Sequence, residues 1–237
     1  MPLSRRDLLS WTSCFGALGT TYVVAAGNEP SLPDGIGRSP EYTGPLPPSR
    51  LGTQHPLTAE ELVAASIIDK APHGPTPIDI ARYFIDVAGG VYGTDWVPYT
   101  SGWPTRWNPV IVTFFKATGT VPSGDVTPWC AAFLNWCYLR AVKSAATRSA
   151  SSGSFRCYGS PTDAPQIGDV VVFRRKDSDD QCVGNGHVGF FLRQTDAAVE
   201  VLGGNQIDGH TGCHSISSKM IAKKGNIFVL HSYRHNP

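Results

Sequence analysis

The sequence predicts an α+β chain in which helices come first and strands follow. Two patterns and one compositional fact carry this expectation. Between residues 57 and 142, cap-residue signals repeatedly open stretches of helical period. From Gly168 onward, apolar residues instead fall in short continuous runs of the strand type. Gly and Pro number 25 and 19 among 237 residues, which demands many turns and argues against a helical bundle. Hydrophobic residues make up 41% and charged residues only 16%, so a core is affordable and disorder over the whole chain is excluded. The net charge of +1 argues against a polyanion binder, which would show a basic excess.

The first 26 residues read as an address rather than structure. Arg5 and Arg6 precede a mostly apolar stretch that ends on the small residues Val24, Ala25 and Ala26. Ser4-Arg5-Arg6-Asp7-Leu8-Leu9 is of the twin-arginine export type, which predicts a periplasmic or secreted protein. Residues 27–56 are dense in Pro and Gly and are expected to form a linker or extended arm. A helical N-terminal region, 57–122, comes next. Thr58 is expected to cap its first helix, with Glu61 reaching back and Leu57 stapled onto Leu62. That helix should end near Ala71, before Pro72. Thr76-Pro77 opens a second helix that stops at Gly89-Gly90, and Asn108-Pro109 opens a third that runs to about Thr118.

The last unit spans 123–237. Thr127-Pro128 opens a largely buried helix, with Cys130, Leu134, Cys137 and Ala141 on one face. A Ser-rich stretch from 144 to 154 ends the helical pattern. Strands are expected at 170–173, 188–192, 199–202 and 227–230, with 214–216 a weaker candidate.

Three residues in this unit suggest nucleophilic chemistry. Cys130 would sit about three residues into its helix, where the first amides and the positive dipole end stabilise a thiolate and can hold an oxyanion. Taken alone, a lone cysteine is more simply a buried structural thiol. Cys137 lies two turns on, about 10.5 Å along the axis, beyond disulfide reach. His187 opens a strand and Asn205 closes the next. A turn centred on Asp196 would set His187 opposite Asn205, so that the amide fixes the imidazole tautomer. A one-residue slip, or a bulge at Gly203 or Gly204, would change this. Together the three residues make a Cys-His-Asn arrangement.

Four segments then make a resemblance specific: T-P-W-C-A-A-F-L-N-W, I-G-D-V-V-V-F, G-H-V-G-F and V-L-G-G-N-Q. Their order and spacing resemble the CHAP and NlpC-like cysteine peptidase superfamily over roughly residues 127–234. The resemblance implies a papain-like core, with the cysteine helix packed on an antiparallel sheet. It implies hydrolysis of amide bonds in bacterial peptidoglycan with no metal or other cofactor, with Cys130 as nucleophile, His187 as base and Asn205 as orienting residue. Whether the enzyme would be an endopeptidase or an N-acetylmuramoyl-L-alanine amidase is left open. A catalytically silent wall-binding domain on the same fold is the alternative. We expect a monomer that engages neither nucleic acid nor, once the signal is cut, a membrane.

Other residues carry weaker expectations. Trp103, Trp107 and Trp129 are candidate substrate-groove aromatics, although each suits a packing role equally well. Asp169 is expected to be a turn acid that bonds backbone amides. Cys182, His187, His210, Cys213 and His214 hold zinc-type donors, but their spacing fits no zinc pattern. A Cys182–Cys213 disulfide is the better expectation, with Cys137–Cys157 as a second bridge that the sequence does not establish.

Overall fold

The computed structural model describes residues 52–178, 181–208 and 212–235. The export signal with Arg5, Arg6 and Cys14, most of the Pro/Gly-rich segment, and His210 lie outside the described residues. Among those described, no helix is long and apolar enough to cross a membrane.

Among the described residues, four α-helices precede the sheet: α1 (Thr58–Lys70), α2 (Pro77–Ala88), α3 (Pro109–Phe114) and α4 (Cys130–Val142). Six strands follow: β1 (Ser160–Thr162), β2 (Val170–Arg175), β3 (Gly186–Gln194), β4 (Ala198–Ile207), β5 (His214–Ala222) and β6 (Phe228–His235). They form one antiparallel sheet in the order β1-β6-β2-β3-β4-β5. This is the expected α+β fold. The three-residue β1 is absent from the sequence reading; it carries Pro161, which a sheet tolerates at an edge.

Two helix starts differ from expectation. In α1 the cap is Leu57, whose extended backbone N–H donates to Glu60 at 2.7 Å. Glu60 lies three residues on and makes the return bond instead of Glu61. Leu57 and Leu62 are both exposed, so no staple forms. In α4 the cap is Trp129, and Cys130 is the first helical residue rather than the third. Thr127 serves the preceding turn, its hydroxyl accepting from the Ser123 amide at 2.9 Å. Asn108 caps α3 as expected, accepting from the Val110 amide at 2.9 Å.

One core joins the N-terminal helices to α4 and the sheet. Phe84 of α2, Phe114 of α3, and Phe133 and Trp136 of α4 meet mainly edge to face, with centroids 5.2–5.8 Å apart. Val170, Val172, Val188, Phe190 and Leu202 close this core from the sheet. The other sheet face carries a second, smaller cluster of Val171, Phe173, Phe191, Val199, Val201 and Tyr233. Burial on both faces explains why β2 reads as a continuous apolar run. Arg140 of α4 donates to the carbonyls of Asp69, Ala71 and Pro72, closing the end of α1. Buried Asn135, in mid-α4, bonds Thr147, Arg148 and Ser149 and so seats the Ser-rich stretch.

Candidate active site

The site is set by where α4 meets β4. A Cβ on Gly204 would overlap the Trp129 ring and stand 3.0 Å from the Phe133 Cβ, so only glycine lets β4 come this close. The residues following this contact in each element are Cys130 and Asn205. The first core turn of α4 and the far end of β4 are thereby brought together. Cys130 is 2% exposed.

The hairpin register sets His187. Phe190 pairs with Leu202 and Phe191 with Val201, as a turn centred on Asp196 requires. Nearer the turn the register slips by one, at Leu192. At the other end, a Cβ on Gly203 would lie 3.5 Å from the Gly189 Cα, so the two strands still run side by side there. Towards β5, Gly203 pairs with Ser217 and Gln206 with Ser215. Gly204 and Asn205 therefore share one partner position, and β4 is bulged at the residue of interest. Asn205 has φ +60°, the left-handed conformation that asparagine tolerates better than other non-glycine residues. Gln206 pins the bulge, donating to the carbonyls of Val201, Gly203 and Ser217. A bulge at Gly203 or Gly204 was among the outcomes the sequence left open; it falls at Gly204–Asn205, and the left-handed asparagine was not foreseen.

His187 pairs with Phe173 across β2 and has the alternation of Gly189 and Phe191. His187 and Asn205 are both buried, 4% and 3% exposed, and line one end of a cavity of about 280 Å³. Cys130 is not among the residues lining that cavity. His214 Nδ1 lies 3.2 Å from the Asn205 carbonyl, a further tie on the bulge.

The loop leading into His187 is clamped. Cys157 and Cys182 form a disulfide with Cα atoms 5.5 Å apart. This overturns the expected Cys182–Cys213 and Cys137–Cys157 bridges, because a short 3₁₀ helix over residues 152–157 packs under the loop and presents Cys157 to it. The same bond removes Cys182 as a metal donor. Beside it, buried Arg156 donates to the carbonyls of Gln181, Val183 and Asn185 and to the Ser178 hydroxyl. The sequence reading missed Arg156; its only signal was an arginine beside a cysteine.

The remaining candidates have structural surroundings. Trp129 is fully buried between Phe114 and Gly204. Trp103 donates its indole N–H to the Pro98 carbonyl at 2.9 Å and packs edge-on against Tyr99. Trp107 packs on His55 with centroids 4.1 Å apart. None of the three lines the cavity. Asp125, also missed, bonds the amides of Trp103 and Asn108 and fixes this aromatic segment to the approach of α4. Asp169 is the turn acid expected, accepting from the Gln166 amide at 2.8 Å, and it also meets His235. Cys137 is fully buried, which pushes its thiol well up and keeps it protonated.

A helix-start cysteine, a strand histidine and a bulged asparagine are thus what α4, β3 and β4 carry. Residues 122–205 match the family model of the CHAP domain. The matched segment begins just before α4 and ends on Asn205, so it holds Cys130, His187 and Asn205. No curated protein and no solved structure matches the chain.

Proposed function

We propose that the protein is an exported, monomeric cysteine hydrolase that cleaves amide bonds in bacterial peptidoglycan. The observation that carries this reading is the CHAP match ending on Asn205, combined with the Gly204–Trp129 contact that brings the strand of Asn205 to the helix of Cys130. CHAP domains as a class support peptidoglycan hydrolysis in general.

In this mechanism the Cys130 thiolate attacks the amide carbonyl, and the amides of the first turn of α4 stabilise the oxyanion. The His187 imidazole takes the thiol proton and returns it to the leaving amine. Water activated by His187 then hydrolyses the thioester. Asn205 holds the imidazole plane and tautomer, and the bulge aims it. The substrate approaches along the cavity that His187 and Asn205 line, and substrate binding opens the way to Cys130. Catalytic contacts in ligand-free enzymes commonly tighten only with substrate bound.

Digestion of purified peptidoglycan, with products read by mass spectrometry, tests the reading. Release of peptides lacking sugar identifies an amidase; cleavage within or between peptides identifies an endopeptidase. Substitution His187→Ala is expected to abolish either product. Wild-type protein that binds the wall under reducing conditions yet releases nothing would overturn the proposal. That outcome would favour the second reading, a silent wall-binding domain, which the burial of Cys130 supports.

A further inference from the structure

Beyond His187 and Asn205, the cavity continues between β4, β5 and β6 with mostly apolar walls, among them Ile207, Ile221 and Phe228. One charged side chain lines it, Lys219. Lys219 stands directly across from Val201 in the β4–β5 register, and Val201 belongs to the cluster on this sheet face. Its ammonium is positioned by the Ile207 carbonyl, to which Nζ donates at 2.8 Å. An ammonium carries three donors and no acceptor, so two N–H groups are left to face solvent or a ligand. The acid nearest in register, Glu200, is opposite Met220 and is held by Arg193 and Ser218. It therefore does not neutralise Lys219.

From this geometry we infer that Lys219 is the specificity-determining cation of the site, receiving a free carboxylate on the substrate residue beside the cleaved amide. The inference rests on the hydrolytic reading above and names its substrate class: peptides that present a short apolar side chain and an ionised carboxyl group. Lys219 is exposed, so the pair forms at the open side of the cavity, where solvent reaches it. A carboxamide in the same place loses the ionic part of the bond and turns an N–H₂ towards a donor-only group.

The test uses one soluble muropeptide with free stem carboxylates and the same muropeptide with those groups amidated. Binding is measured by calorimetry to the full chain carrying Cys130→Ala, which separates recognition from chemistry. The acidic form is expected to bind about threefold more tightly, as an exposed ion pair allows. In the same background Lys219→Arg should keep the preference, Lys219→Met should erase it and Lys219→Glu should invert it. Equal or absent binding of the two forms, or a preference that survives Lys219→Met, overturns the inference. Cleavage of both forms by the wild-type chain is followed in parallel. Equal cleavage with equal binding sinks the role of Lys219 and leaves the hydrolase reading standing. Selective binding without any cleavage does the reverse.

Discussion

Asn205 occupies a backbone conformation that costs most residues about 1 kcal/mol, and it does so beside a histidine. This separates its two roles. Asn205→Gly should keep or slightly raise the melting temperature while lowering kcat by about tenfold or more, because the amide is lost and the strain with it. Asn205→Ala should lose the same activity and about 1 kcal/mol of stability as well. Equal activity in wild type and Asn205→Gly would remove Asn205 from the mechanism. The thiols give a second contrast. A thiol-reactive probe at neutral pH is expected to modify Cys130 before Cys137, because burial keeps the Cys137 thiol protonated; peptide mapping of the labelled protein checks it. At this scale the sequence told much. The chemical roles of Cys130, His187 and Asn205 are proposals, but their positions at a helix start, a strand start and a strand end were legible, because each follows from local pattern. The left-handed φ of Asn205 was not, since asparagine also sits in ordinary strands and only the β5 pairing reveals the bulge.

At the scale of elements, the decisive contacts are helix α4 on strand β4 and the clamp on the loop before β3. The clamp consists of the Cys157–Cys182 bond and the buried Arg156. Replacing both cysteines by serine should cost about 3 kcal/mol for a loop of this length, read as a drop of several degrees in the melting curve. The kcat of that variant should fall more than its KM rises, because His187 begins where the clamped loop ends. An unchanged kcat would show that the clamp serves stability alone. The helix periods, the strand runs and the turn about Asp196 were readable because each is local. The disulfide partners were not. Pairing depends on the 3₁₀ helix at 152–157 folding under the loop, and nothing in the spacing of four cysteines encodes that. The start of α4 moved two residues for a similar reason: Thr127 had a second use in the turn it closes.

At the scale of the whole molecule, the N-terminal helices, α4 and the sheet share one aromatic core, so the region before α4 is part of the candidate site's foundation. Its sequence shows capped helices but not the face they present to α4, because apolar residues in helical period do not name their partner. Glu60 of α1 also ties this region to Arg106 through two bonds of 2.8 and 2.5 Å. The side-chain bond to Arg106 is the largest cause holding the Glu60 carboxyl below its ordinary value of 4.5. A carboxyl depressed in the folded state stabilises the protein above that value and loses the contribution as the pH falls through its folded pKa. Melting temperatures measured downward from pH 5 should therefore fall less steeply in Glu60→Gln than in wild type; parallel curves would contradict this. Cys130 as nucleophile is the centre of the proposed reaction. The most direct measurement compares wild-type chain and Cys130→Ala on purified peptidoglycan under mild reduction, with soluble fragments read by mass spectrometry. Amide-cleavage fragments are expected from the wild type and none above background from Cys130→Ala. Equal fragments from both proteins would contradict it.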